Sequence, residues 1–248
     1  MNYLVGDIGN TFIKLSILND NFKIKKIYNL ETKKIFKETF KRNYLNNKIG
    51  KNLHKKALFS SVVPKAFKII KNHLSKKKIK VLEIKQLKIK KIINIKIKNY
   101  NQLGSDRISN AIGSLKNSNS IIIDFGTATT FDIVKKGVYE GGVISPGINL
   151  SILNLNNSTA LLPILDLKNA KKRYGKNTQE ALNAGFIWGY QGLINNIIEK
   201  ISFNRKKSFK IILTGGYAKL FKKYINAKTT IDQNITIKGI ARAFKELV

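Results

Sequence analysis

The 248-residue sequence predicts an α/β protein built of two similar halves, each opening on a strand–turn–strand unit. Three observations carry this. Tyr3-Leu4-Val5 runs into Asp7-Ile8-Gly9-Asn10-Thr11, after which Ile13, Leu15 and Ile17 alternate with Lys14 and Ser16, the period of a strand with one buried face. The same pattern returns about half a chain length later: Ile121-Ile122-Ile123 runs into Asp124-Phe125-Gly126-Thr127-Ala128, and Thr129, Phe131 and Ile133 follow at spacing two. Elsewhere strand-like runs alternate with helical periodicity, the order expected of α/β units. The repeat places two domains at 1–118 and 119–248, and a prior of about 150 residues per domain allows one or two cores in this length.

After the first hairpin, Ala57 to Val63 reads as an apolar strand. Pro64 suits the first turn of a helix carrying Phe67, Ile70 and Leu74 on one face. Ile93, Ile95 and Ile97 predict an alternating strand that leads to Gly104-Ser105-Asp106-Arg107, and Ile108, Ala111, Ile112 and Leu115 have helical spacing, so this tetrad opens a helix. Beyond the second hairpin, Gly141 to Gly147 reads as a loop and a helical stretch runs to about Leu161. Asn177-Thr178-Gln179-Glu180 is a capping box for a helix containing Gly185, Gly189 and Gly192; these cost helix propensity, so close packing on another helix, within the chain or across a dimer, is expected. A strand from Phe209 breaks at Thr214-Gly215-Gly216, and Ile240 to Val248 reads as the closing helix of the second half.

Cysteine is absent, which excludes disulfides, thiolate metal sites and Cys nucleophiles, and two histidines cannot form a three-His metal site. A net charge of +33 suggests nucleic acid or anionic surfaces, yet only five of the 47 basic residues are Arg, the residue that favours base-edge and bidentate phosphate contacts. The lysines are dispersed among Ile and Asn, so no specific nucleic-acid partner is expected. No apolar run reaches the ~18 residues of a membrane span, so a cytoplasmic protein without membrane association is expected.

The chain has only 14 acidic residues, and Asp7, Asp106, Asp124 and Asp132 fall in or beside Gly-containing turns. A D-x-G-x-T turn suits phosphate and cation binding, because Gly allows close backbone approach while Asn10, Thr11 or Thr127 add donors; a tight turn needing Asp and Gly explains single occurrences. Asp106 is either a proton acceptor beside the anion-clamping Arg107 or a first-turn helix residue. Gly215-Gly216 either admits an adenine ring or makes a tight turn. Walker A and G-x-G-x-x-G motifs are missing, which disfavours P-loop kinases and Rossmann dehydrogenases.

Taken together, these motifs resemble the type III pantothenate kinases, members of the superfamily of acetate kinase, sugar kinases, Hsp70 and actin. The matching pieces, in family order, are DIGNT at 7–11, SSVVP at 60–64, LGSDR at 103–107, DFGTATTFD at 124–132, GGVISPG at 141–147, NT at 177–178 and LTGG at 213–216. The resemblance implies two duplicated ribonuclease-H-like (actin-like ATPase) domains with a nucleotide cleft between them, and ATP-dependent phosphorylation of pantothenate to 4'-phosphopantothenate, the first step towards coenzyme A. It implies that Asp7, Ile8, Gly9, Asn10, Thr11, Phe12, Ile13 and Lys14 bind ATP phosphates, joined by Thr127. Gly104, Ser105, Asp106 and Arg107 would contact pantothenate, with Asp106 as the catalytic proton acceptor and Thr178 as a further contact. Asp124 would ligate the monovalent cation, K+ or NH4+, needed besides Mg2+. Members are similar homodimers. The family pattern carries a Tyr and then a Pro before G-x-DR; Ile97 and Tyr100 stand at those positions here, which makes Tyr100 a candidate substrate contact by a local shift. Two other readings are a non-catalytic relative acting in regulation or nucleic-acid binding, and a superfamily kinase for another small hydroxyl compound.

Overall fold

The computed structural model describes residues 1–37, 52–115, 119–168, 173–203 and 208–248, which divide into two units. The first comprises Met1–Ser118, Lys136–Glu140 and Asn234–Val248; the second comprises Asn119–Lys135 and Gly141–Gln233. Residues 116–118, beside the junction expected from the repeat, lie outside the described ones.

In the first unit, β1 (Asn2–Ile8), β2 (Phe12–Leu18), β3 (Ile24–Glu31), β4 (Leu53–Ser61) and β5 (Lys80–Glu83) form a sheet in the order β3-β2-β1-β4-β5. The β1–β2 and β2–β3 pairs are antiparallel hairpins, whereas β1–β4 and β4–β5 are parallel. A parallel pair needs a crossover, and α1 (Pro64–Lys76) supplies it between β4 and β5. Its buried Ala66, Ile70 and Leu74 join Leu4, Ile8, Ile13 and Phe59 in one core. In the second unit, β7 (Asn119–Phe125), β8 (Ala128–Lys135), the part of β9 (Val138–Pro146) from Gly141 on, β10 (Lys210–Gly215) and β11 (Thr229–Ile231) follow the order β11-β10-β7-β8-β9. β7 pairs antiparallel with β8 and parallel with β10, and β10 pairs parallel with β11. The second sheet thus repeats the winding of the first, and the strand–turn–strand repeat in the sequence marks the start of each copy. Its core packs α4 (Thr178–Ser202), through Ile187, Tyr190, Ile194 and Ile198, on Ile121, Ile123, Ile211 and Leu213.

Four elements differ from the sequence expectation. The strand at Ile93–Ile97 shortens to β6 (Asn94–Ile95), because short 3-10 turns at Ile89–Lys91 and Tyr100–Gln102 flank it; it pairs with Val138 and Tyr139, the part of β9 in the first unit. Gly141 to Pro146, read as a loop from its Gly and Pro content, continues β9, with Gly141 at φ +128, a backbone conformation that glycine adopts without strain. The following helix, α3 (Ile148–Asn157), ends four residues early. The closing helix, α6 (Ile235–Leu247), packs in the first unit against α2 (Ser105–Ser114). Glycines explain the last difference: a Cβ on Gly239 would enter the Ser109 carbonyl, and one on Gly113 the Ile235 carbonyl, so the two backbones approach closely. Inside this contact Thr236 Oγ1 donates to Asn110 Oδ1 at 2.7 Å.

Candidate active site

Each unit gathers its own motifs. In the first, the parallel β1–β4 register places Asp7 beside Ser60 and Ile8 beside Ser61, and the Val62 N–H donates to the Ile8 carbonyl at 3.0 Å. DIGNT and SSVVP therefore meet at the carboxyl ends of adjacent strands, where open α/β sheets bind ligands. The hairpin is closed by the Gly9 N–H donating to Phe12 O at 3.0 Å, and Thr32 Oγ1 donates to the Gly9 carbonyl at 2.6 Å. Gly9 thus shapes the turn and its N–H is engaged internally, so the exposed Asn10 and Thr11 are what the turn presents to a ligand. Ile8 and Ile13, expected among the phosphate contacts, are core residues with 0% exposure. Lys14 stands opposite Asp7 in the β1–β2 register. Ser60 Oγ is buried without a hydrogen-bond partner among the described residues, a polar group beside Asp7 that suits an oxygen-rich ligand or its bound water.

Gly104 is the N-cap of α2, followed by Ser105 and Asp106 in the first turn. Asp106 is half-buried, and its Oδ1 accepts the Arg107 N–H at 2.8 Å. Burial pushes its carboxyl above the ordinary Asp range, opposed by that N–H and by the Arg107 guanidinium. The carboxylate folds back over Gly104, where a Cβ would collide with Oδ1. Ser105 is only 2% exposed and its hydroxyl donates to Glu83 Oε1 at 2.5 Å, so its side chain faces the protein rather than a substrate. Tyr100 opens the 3-10 turn before this segment, and its hydroxyl is pushed up by burial and by the Glu83 charge. Sequence reading missed Glu83, because its partner lies 22 residues away and no local period points to it.

In the second unit three glycine-bearing segments converge. The turn at 124–128 is closed by the Gly126 N–H donating to the Ala128 carbonyl at 3.1 Å, and the Gly216 N–H donates to the Phe125 carbonyl at 3.0 Å. Gly215, at φ +83, would bring a Cβ onto Phe125 C=O and Asp124 Oδ1, and a Cβ on Gly147 would enter the Thr127 carbonyl. DFGTATT, the PG of GGVISPG and LTGG therefore assemble around Asp124 and Thr127. Among the described residues no three His, Cys, Asp or Glu side chains cluster as a metal site, so an ion at Asp124 would complete its shell with carbonyl and ligand oxygens.

Thr178, the first residue of α4, lies further along the same unit; Asn177 Oδ1 caps the helix by accepting the Glu180 N–H at 2.9 Å. Glu180 completes the motif differently from a capping box, since Oε2 accepts from the Lys176 N–H. α3 and α4 enclose an apolar groove of about 590 Å³ lined by Thr178, Gly185, Gly189, Leu155 and Phe186. Gly185, Gly189 and Gly192 face open space, so no helix among the described residues packs on them.

The model of the family "Type III pantothenate kinase" matches residues 3–200. The chain belongs to the type III pantothenate kinase family. A type III pantothenate kinase of Pelagibacter ubique is 47% identical over 97% of both chains, and one from a Sulfurihydrogenibium species is 34% identical over 96% of this chain and 97% of its own. Among solved structures, a Campylobacter jejuni protein described as of the Baf transcriptional activator family superposes with a TM-score of 0.64 at 22% identity, covering 98% of each chain. The activator of 2-hydroxyisocaproyl-CoA dehydratase from Clostridium difficile, with bound ADPNP, gives 0.57 at 13% identity over 99% of this chain and 95% of its own. At these identities the two structures support the fold alone.

Proposed function

We propose that this chain transfers the γ-phosphoryl group of ATP to the terminal hydroxyl of pantothenate, yielding 4'-phosphopantothenate and ADP. The observation that carries the reading is the placement of Asp106 at the start of α2, half-buried and turned back over Gly104, in a chain of this family. Phosphoryl transfer asks the protein chiefly for positioning and charge stabilisation, with a carboxylate near the attacking hydroxyl. Asp106 takes the hydroxyl proton as the new O–P bond forms and the bond from the γ-phosphorus to the ADP oxygen breaks. Its raised pKa makes it a better proton acceptor than an exposed Asp. Arg107 and the N–H groups at the start of α2 favour the carboxylate of the acceptor. Asp7, Asn10, Thr11 and Lys14 are assigned to ATP phosphates in the first unit and Thr127 in the second; Mg2+ would neutralise phosphate charge beside Asp7. Asp124, a carboxylate set among carbonyl-bearing turns, is assigned to a monovalent cation, K+ or NH4+.

Thr178 and the open glycine face of α4 support a homodimer in which a second copy covers the groove, as the family resemblance implies. No helix among the described residues is long and apolar enough to cross a membrane, and with a cysteine-free chain this supports a cytoplasmic enzyme. Lys76, Lys77 and Lys78 are exposed, consistent with a solvated basic surface rather than a nucleic-acid footprint. The test is ATP consumption with a panel of small hydroxy acids in potassium and in sodium buffers. Turnover is expected with pantothenate and potassium; preference for another hydroxyl compound overturns the substrate, and no ATP consumption with any of them overturns the enzyme reading.

A further inference from the structure

Little of the sheet framework holds the segment that carries Asp106. β6 ends at Ile95, and residues 96–104 contain only the 3-10 turn Tyr100–Gln102 before α2 begins. Glu83 and Lys85, at the end of β5 and in the 3-10 turn Ile84–Gln86, both reach it. Glu83 Oε1 accepts the Ser105 hydroxyl at 2.5 Å, within the short range of charge-assisted O–H···O⁻ bonds, while Oε2 accepts the Lys85 N–H at 2.7 Å. Burial pushes this carboxylate towards protonation, opposed first by the Ser105 hydroxyl. Lys85 Nζ donates to the Asn101 carbonyl at 2.9 Å and lies 5.7 Å from the centroid of the Tyr100 ring.

A Glu that merely capped its own 3-10 turn would need only the Lys85 N–H and the return bond from the Glu83 N–H to Gln86 Oε1, both present. The further bonds to Ser105 and Asn101 tie that turn to either end of the Tyr100–Arg107 segment. Glu83 itself pairs with Phe59 of β4, the strand that lies beside Asp7 and Ile8 of β1, so the clamp starts from the sheet. We propose that Glu83 and Lys85 are positioning residues whose clamp on Ser105 and Asn101 fixes the placement of Asp106 for proton transfer. The proposal rests on Asp106 being the proton acceptor. Ser105 adjoins Asp106, so loss of its anchor moves the carboxylate directly, and a displacement of about 1 Å at a reacting group can cost on the order of 10²-fold in rate.

The experiment measures kcat, and KM for pantothenate and for ATP, on full-length Glu83→Ala, Glu83→Gln, Lys85→Met, Ser105→Ala, the Glu83→Ala/Ser105→Ala pair and Asp106→Asn, per mole of folded protein. Glu83→Ala and Ser105→Ala are each expected to lower kcat about 10- to 100-fold with KM for ATP unchanged. The pair should be no worse than the poorer single variant, because both remove one bond. Glu83→Gln should recover most of kcat, its amide oxygen still accepting from Ser105, and Lys85→Met should show a smaller fall of the same kind. Wild-type kcat in Ser105→Ala, or multiplying losses in the pair, overturns the clamp; if Glu83→Ala fails to fold, Ser105→Ala and Lys85→Met carry the test, and normal kcat in both overturns it. A slow Asp106→Asn beside an unaffected Ser105→Ala defeats the clamp alone, whereas Asp106→Asn at the wild-type rate defeats the assignment of the base and the clamp with it.

Discussion

Asp106 is held where an ionised carboxylate is disfavoured, and the direction of its pKa links stability to activity. The folded chain binds the Asp106 proton more tightly than the unfolded chain does. Ionised Asp106 therefore penalises the fold above its folded pKa, and the penalty is relieved as pH falls through that value. Asp106→Asn should accordingly be at least as stable as the wild type near neutral pH in a thermal melt, since Asn can keep the bond to the Arg107 N–H. Only the ionised form accepts a proton, so kcat/KM for pantothenate should fall on the acid side with a midpoint above the usual Asp value of ~3.9. A midpoint at or below it contradicts the burial of this group. Gly104 offers a separate check: its φ of −61° accommodates any residue, but a Cβ would displace the Asp106 carboxylate. Gly104→Ala should melt close to the wild type while losing on the order of 10–10²-fold in kcat. The raised pKa of Asp106 is not legible in the local G-S-D-R pattern, because burial is a tertiary property.

Elements were legible where a local period decides them. Both hairpins announce themselves by an apolar run before an Asp–x–Gly turn and period-two alternation after it, and α1 by Pro64 with buried residues at helical spacing. Glycine was the misleading signal. Gly141 and Gly142 read as a loop but lie in β9, where partial burial of alternate residues holds the strand. Gly185, Gly189 and Gly192 read as a helix face packed within the chain or across a dimer, and of these the packing within the chain is not found among the described residues, while the close helix–helix contact uses Gly113 and Gly239, which sit singly in their helices. A Cβ on Gly239 meets backbone, which yields less readily than a side chain. Gly239→Ala should therefore destabilise by about 1–3 kcal/mol in urea melts, in the range of overpacking. An unchanged midpoint would mean that α6 and α2 are not in such close contact.

For the whole molecule, the duplicated winding was visible as a repeated motif, whereas the return of α6 to the first unit was not, because a helix packed far from its sequence neighbours carries no local sign of its destination. The glycine face of α4, open among the described residues and with Trp188 exposed at 42% on the same helix, is the surface on which a second copy is expected. Light scattering should give about twice the 28.1 kDa chain mass, and Gly189→Arg should shift the protein to monomer; a wild-type monomer at micromolar concentration contradicts the dimer. The central claim is that Asp106 serves ATP-dependent phosphorylation of pantothenate. Its most direct measurement is pantothenate-dependent ADP formation by the wild-type chain and Asp106→Asn under identical conditions, with the product's phosphate located by NMR. Phosphate on the terminal hydroxyl of pantothenate and a rate lower by roughly 10²–10⁴-fold in the variant are expected; equal rates, or a phosphate elsewhere, would contradict this role of Asp106.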